Sequence, residues 1–205
     1  MKIDSISLYI TTLCNFHCLG CCAGTQEKGG ITGDEIIDLG KHLGPVKDVY
    51  ITGGEPTLHK EFSYLICLMI AQLDFDRLIL ATNGYGLMKH IELMDLFDEI
   101  RISHYDEQSY PGADHNIDLI NEFKAAYNGP ARIVVQHIKM IQNDPNKTGV
   151  CGRDNNGIAS YFKGKIYGCC VAAGMDAGKG IKFDSNWKEN AVKDNLPCGD
   201  CVFAK

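Results

Sequence analysis

Cys14, Cys18, Cys21 and Cys22 fall within nine residues of the chain. Thiols packed that tightly either pair with one another or bind something. Disulfides, zinc and an iron–sulfur cluster are the chemistries to separate. Cys151, Cys169, Cys170, Cys198 and Cys201 form a second group near the other end, and Cys67 lies between the two. The spacing Cys14-x3-Cys18-x2-Cys21 makes a short loop whose thiolates can each take one iron of a cubane, leaving the fourth iron to an outside ligand. A structural zinc site wants four protein ligands, usually as two C-x2-C-like pairs. Cys22 adjoins Cys21 and is poorly placed to share one tetrahedral ion with it, but His17 is a possible fourth ligand. Zinc stays open on this stretch. Cys22 itself reads as a small residue beside the loop, and Cys67, inside an apolar run, as a small buried hydrophobe.

The remaining composition bounds the choice. The 205 residues suffice for one sizeable core and a small appendage, with 45% hydrophobic and 22% charged residues as in an ordinary globular protein. The N-terminus shows neither a basic nor an apolar signal region, and the run from Tyr64 to Leu73 is too short to span a bilayer. A cytoplasmic protein with no membrane partner is the expectation. A reducing compartment argues against a disulfide framework for the ten cysteines and toward metal or catalysis. A net charge of −6 offers no general attraction to nucleic acid, without excluding a nucleotide-sized substrate.

The elements that must position the thiols are legible. Ser5 to Ile10, Asp48 to Thr52, Arg77 to Thr82, Glu99 to Ser103 and Ala131 to Ile138 are β-branched runs of strand length. Between them Ile36, Leu39 and Leu43 recur at helical spacing behind a Thr32–Glu35 capping box. Residues 91–100 and 116–127 carry the same spacing, the second stopping at Asn128-Gly129-Pro130. Alternating strands and helices mean βαβ crossovers, hence an α/β fold with a parallel sheet, either open and doubly wound or part of a barrel. Either way the chemistry belongs at the C-terminal ends of the strands. From about Thr148 glycine and asparagine become frequent and helical spacing disappears, so a boundary near residue 145 is expected. A segment that poor in apolar periodicity and that rich in cysteine is better held by metal than by packing.

Two further motifs sit at strand ends. Gly53-Gly54-Glu55-Pro56 follows the second strand, with glycines that allow close backbone approach and a carboxylate able to take an amino group. The third strand runs into Thr82-Asn83-Gly84. Together with the three-cysteine loop after the first strand, these motifs resemble the radical S-adenosylmethionine (SAM) superfamily over about residues 5 to 140. The resemblance implies a partial (β/α)6 barrel. It implies that Cys14, Cys18 and Cys21 hold a [4Fe–4S] cluster whose open iron chelates the amine and carboxylate of SAM. Gly53, Gly54, Glu55 and Pro56 would line the amine, Asn83 and Ser103 the ribose or carboxylate, and Gln136 the adenosine side. This sequence departs from the family in having Gly20 where an aromatic residue usually precedes the third cysteine.

In the second group, Cys151 and Cys169, with Cys170 as competitor for the latter position, precede a Cys198-x2-Cys201 pair. Spacing alone suits a zinc knuckle equally well. The segment Gly164 to Cys169 looks like a hairpin delivering Cys169 from a strand end. Beside a radical SAM core the pattern resembles the twitch subdomain, a short form of the SPASM extension, as 2-deoxy-scyllo-inosamine dehydrogenases carry it. That implies domains at 1–145 and 146–205, with Cys151, Cys169, Cys198 and Cys201 holding an auxiliary [4Fe–4S] cluster. Four thiolates leave no iron open, so electron transfer is its natural task.

His104, Asp106 and His137, at the ends of the fourth and fifth strands, are the candidates for catalytic contact or general-base work. Tyr105 lies beside them, and Arg153 reads as a solvated loop cation. The resemblance implies an enzyme that generates a 5′-deoxyadenosyl radical and takes hydrogen from a small-molecule or nucleotide substrate. A two-electron oxidation is the leading expectation, with an external one-electron reductant such as flavodoxin or ferredoxin. A redox-neutral isomerisation, epimerisation or bond formation on a nucleotide or peptide is the nearest alternative. A non-catalytic zinc or iron–sulfur module is the other.

Overall fold

The β-branched runs become five parallel strands: β1 (Ser5–Thr11), β2 (Val46–Gly53), β3 (Phe75–Thr82), β4 (Glu99–His104) and β5 (Arg132–His137). They lie side by side in the order β5-β4-β3-β2-β1, the arrangement that successive crossovers produce. The computed structural model describes residues 3–18, 21, 29–105, 116–137, 158–167 and 180–194. Helix α1 (Gly33–His42) starts on the expected capping box, both reciprocal bonds of which are formed between Thr32 and Glu35. Helices α2 (Phe62–Gln72) and α3 (Ile117–Ala126) complete two further crossovers. Between β3 and β4 the expected helix over 91–100 gives way to 3₁₀ turns over Met88–Leu96, kinked at His90. The reason is space: Glu99 and Ile100 already belong to β4, and Asp98 accepts a bond from the Leu78 amide at 2.7 Å that pins the returning chain.

The sheet does not stop where the composition changes. Strand β6 (Ile158–Phe162) pairs parallel with the free side of β1, Ser5 opposite Ile158 and Leu8 opposite Tyr161. Lys163 and Gly164, with φ of 47° and 70°, then make a tight hairpin turn into the antiparallel β7 (Lys165–Tyr167), flanked by β8 (Ile181–Lys182). The result is an eight-stranded, mostly parallel α/β sheet. The expected hairpin is present, and β7 ends just short of Cys169, which lies outside the described residues.

This segment also packs better than its composition announces. Tyr161, Phe162, Ile166, Tyr167, Phe183 and Trp187 are all buried. Trp187, at the start of α4 (Trp187–Asp194), stacks on Phe183 at 5.5 Å and donates its indole N–H to the His42 carbonyl of α1 at 3.1 Å. Tyr161 donates to Glu35, the same residue that completes the α1 cap. A few aromatic residues bury as much area as many aliphatic ones and leave little periodicity to read.

Strand alternation divides the sheet into two unlike faces. Ile6, Leu8, Ile10, Val49, Ile51, Leu78, Leu80, Ile100 and Ile102 belong to one buried cluster with Ile36, Leu39, Phe62, Leu65 and Met69 of the helices. The opposite face is polar. There Arg77 pairs with Asp48 at 2.7 Å, Arg101 pairs with Glu99, and the Arg101 guanidinium lies over the Tyr50 ring at 5.0 Å. An enclosed parallel sheet would be apolar on both sides. Here one side carries charged residues, among them Asp48 and Glu99, which are buried and paired with arginines. Helix α2 corrects one expectation: Phe62, Leu65, Ile66 and Met69 are buried, but Tyr64, Cys67 and Ile70 are exposed. Cys67 sits on the stripe that α1 does not cover, so it is no core residue.

Replacing Trp187 tests whether packing holds the last strands to α1. Trp187→Ala is expected to cost about 3–5 kcal/mol in urea unfolding of the metal-free protein. A loss below 1 kcal/mol would show that these aromatic contacts do not anchor the segment.

Candidate functional site

At the end of β1 the chain turns into the loop that carries the front cysteines. Thr12 fastens its root, exchanging backbone and hydroxyl bonds with Gly29 at 2.9–3.1 Å. The end of β2 fastens the same root from the other side. The Gly54 amide donates to the Thr11 carbonyl at 2.8 Å and the Glu55 amide to the Leu13 carbonyl at 2.7 Å. A Cβ on Gly53 would lie 2.2 Å from the Thr11 oxygen, and one on Gly54 2.2 Å from the Leu13 oxygen. Only glycine fits at either place. The close approach the glycine pair permits is made here to the backbone of the cysteine loop.

The next residue is fully buried. Alternation along β2 carries Glu55 to the helix-covered side, the side of Val49 and Ile51. Its Oε1 accepts bonds from the Thr57 amide (3.1 Å), the Thr57 hydroxyl (2.6 Å) and the Thr82 hydroxyl (2.8 Å). Its Oε2 accepts from the Asn83 amide at 2.7 Å. Burial pushes its pKa up, while the bonds from Thr57, Asn83 and Thr82 act the other way. The carboxylate ties the end of β2 to the end of β3.

Asn83 carries the tie onward. Its Nδ2 donates to Asn15 Oδ1 at 2.9 Å and lies 3.8 Å from Cys14 Sγ, while its Oδ1 accepts from the Tyr85 amide at 3.0 Å. Asn116 in turn donates to the carbonyls of Asn83 (2.7 Å) and Ser103 (2.6 Å) and accepts from the Tyr105 amide (3.1 Å). The ends of β2, β3 and β4 are thereby joined to the cysteine loop in one polar network.

Cys14, Cys18 and Cys21 form no disulfide. They are also neighbours: Cys21 helps raise the Cys14 pKa, and Cys18 and Cys21 both act on Tyr105. Burial is the largest cause lifting the Cys14 thiol, partly offset by the Phe16 amide, which donates to its sulfur at 3.4 Å. The Tyr105 hydroxyl bonds Cys18, and its pKa is raised chiefly by burial. Its ring meets Phe16 edge-on at 5.7 Å. Among the described residues no three ligating side chains close on a single metal ion.

Residues 8–106 match the Radical SAM superfamily. Over that span, from β1 through β4, this chain is similar to the superfamily. It is similar to the GTP 3′,8-cyclase of Vibrio vulnificus (strain YJ016), 32% identical over 98 residues. It is likewise similar to that of Vibrio cholerae serotype O1 (strain M66-2), 37% identical over 99 residues. Each match takes in 44% of this chain and 29% of the relative, so the chain spans under a third of those proteins. Among solved structures, BtrN in complex with AdoMet and 2-DOIA superimposes with a TM-score of 0.62 at 17% identity, covering 99% of this chain and 85% of that one. BtrN in an open conformation gives a TM-score of 0.55 at 16% identity, covering 99% and 83%. At such identities the likeness is one of fold.

The cofactors of a radical SAM domain are a [4Fe–4S] cluster and SAM. The residues present fit them. A cubane takes each thiolate on its own iron, so three cysteines on one braced loop, none of them in a disulfide, need not converge on one point. Asn83, Ser103 and Gln136 fall together on the polar face at the strand ends, Ser103 directly opposite Gln136. Pro56 opens a buried 3₁₀ turn behind Glu55. His104 and His137 follow the other parity, that of Ile100 and Ile102, and bond each other through Nδ1 atoms 2.9 Å apart. One ring donates there and the other accepts. Asp106, Arg153, Gly20, Cys22, Cys151, Cys169, Cys170, Cys198 and Cys201 lie outside the described residues. Sequence reasoning missed Asn15, Thr57, Thr82 and Asn116. Asn15 sits next to a cysteine and Thr82 next to Asn83, but nothing in their spacing announces partners on other strands.

Two substitutions probe this bracing. Gly54→Ala sets a methyl group against backbone atoms that cannot rotate away, so iron bound in anaerobic reconstitution should fall by about one cubane's share while the circular dichroism spectrum stays helical. Wild-type iron content would show that the loop does not need this approach. Glu55→Ala leaves four buried donors without their acceptor, two of them backbone amides. A loss of about 3 kcal/mol or more in urea unfolding of the metal-free protein is expected.

Proposed function

We propose that the chain is a radical SAM enzyme that oxidises a small-molecule or nucleotide substrate by two electrons. When bound, the cluster and SAM supply a 5′-deoxyadenosyl radical that takes hydrogen from the substrate. Cys14, Cys18 and Cys21 hold the cluster in this reading, on the loop that Gly53 and Gly54 brace. Gly53, Gly54, Asn83, Ser103 and Gln136 present backbone and side-chain groups to SAM on the polar face. Glu55 acts from behind them, by fixing the Asn83 amide and the 3₁₀ turn at Pro56. His104 and His137 brace the β4–β5 rim in this reading, and Asp106 remains the candidate for contact with substrate.

An oxidation must send away the electron left on the substrate carbon. Residues 146–205 are assigned as a twitch subdomain whose Cys151, Cys169, Cys198 and Cys201 hold an auxiliary [4Fe–4S] cluster as its acceptor. An external one-electron carrier such as flavodoxin or ferredoxin supplies the front cluster. The observation that carries this reading is the extent of the likeness to BtrN, which runs over 99% of the chain, where the cyclase matches stop at 44%. BtrN holds AdoMet together with 2-DOIA, a small molecule. A second reading, redox-neutral bond formation on a nucleotide, rests on the higher identity to the GTP 3′,8-cyclases over the front half.

Paired variants test the assignment without knowing the substrate. Under dithionite, Cys18→Ala should form no 5′-deoxyadenosine from SAM. Cys198→Ala should form it at a rate near wild type while losing one cubane's share of iron. Undiminished cleavage by Cys18→Ala would sink the front site. Undiminished iron in Cys198→Ala would sink the back one. A cyclised product from GTP, used as the probe, would favour the second reading.

A further inference from the structure

We infer that Asn83 and Tyr105 set the reduction potential of the front cluster by donating hydrogen bonds to the sulfurs of Cys14 and Cys18. The inference rests on the reading that these cysteines hold a [4Fe–4S] cluster. The potential of such a cluster depends on its net charge, its exposure and the hydrogen bonds its sulfurs receive. A donor favours the more negative, reduced state and so raises the potential.

The geometry fixes which atoms point at the sulfurs. The amide of Asn83 has one orientation open to it, because its Oδ1 must face the Tyr85 N–H at 3.0 Å. Its Nδ2 therefore faces the cysteine loop. One hydrogen serves Asn15 Oδ1 at 2.9 Å, and the other is directed toward Cys14 Sγ at 3.8 Å. The Asn83 backbone is clamped on both sides, its N–H by Glu55 and its carbonyl by Asn116. Tyr105 is held in a similar way. Ser103 and Cys18 both bond its hydroxyl, its backbone N–H is taken by Asn116, and Phe16 lies against its ring. A cluster-bound thiolate has no proton to give, so between these two groups the phenol O–H donates and the Cys18 sulfur accepts.

These two donors come from the ends of β3 and β4, not from the loop itself. Among the described residues the loop itself contributes the Phe16 amide, 3.4 Å from Cys14 Sγ. A side-chain donor differs from a backbone one in that substitution can remove it while the loop stays in place. Asn83 and Tyr105 are thus positioning residues with a measurable electronic effect.

The test uses the full chain, anaerobically reconstituted, with iron counted, and an EPR-monitored redox titration without SAM so that cofactor binding plays no part. Tyr105→Phe keeps the ring against Phe16 and removes only the hydroxyl. Asn83→Asp keeps the acceptor for Tyr85 and replaces the donor by an anionic oxygen. Both midpoints are expected to move to more negative potential, Asn83→Asp further than Tyr105→Phe. Resonance Raman gives a second readout, the iron–thiolate stretch moving to higher frequency as donors are lost. Unchanged midpoints and stretches at wild-type iron content would overturn the inference. Should Asn83→Asp fail to take up iron, Tyr105→Phe decides alone. A wild-type chain that assembles no cubane would instead overturn the reading of the loop, and this inference with it.

Discussion

Two backbone hydrogen bonds, from Gly54 to Thr11 and from Glu55 to Leu13, carry the pairing of β1 with β2 past the end of the strands. They turn the start of the cysteine loop into an extension of the sheet. A free loop with three thiols would have to be ordered by the metal alone, with the entropy of the loop set against binding. Here much of that order exists beforehand. It depends on two residues without side chains, since any Cβ at Gly53 or Gly54 would meet a carbonyl oxygen at 2.2 Å.

Glu55 supports this arrangement from the buried side. A carboxylate removed from water is costly unless its lone pairs are filled, and four donors from Thr57, Thr82 and Asn83 fill them. Those same bonds fix the turn after β2 and the residue after β3. The polar network then passes through Asn83 and Asn116 to β4, so that groups on three strand ends are held with respect to the thiols. Parity decides which groups share the polar face. Asn83, Ser103 and Gln136 share it, whereas His104 and His137 share the side of Ile100 and Ile102.

The front and back of the chain are joined more closely than composition suggests. Pairing of β6 with β1 places the last strands on the strand that leads into the cysteine loop. Trp187, Phe183 and Tyr161 bind that extension to α1.

Short-range pattern determined a good deal by itself. The five parallel strands and helices α1 and α3 were legible because β-branched runs and apolar spacing are properties of neighbouring residues. The three-cysteine spacing and the Gly-Gly-Glu-Pro and Thr-Asn-Gly motifs, each at a strand end, pointed to a candidate site for the same reason. The failures share a cause too. Residues 91–100 have helical spacing, but the short return to β4 compresses them into 3₁₀ turns. Cys67 lies in an apolar run whose outer stripe no element covers. The pattern shows that Glu55 carries a carboxylate, not which way it points. Its direction follows from strand parity, and its partners from residues on other strands. The bonds of Asn83 and Tyr105 to the cysteines likewise join positions far apart in the chain, and only the packing of parallel strands brings such positions together.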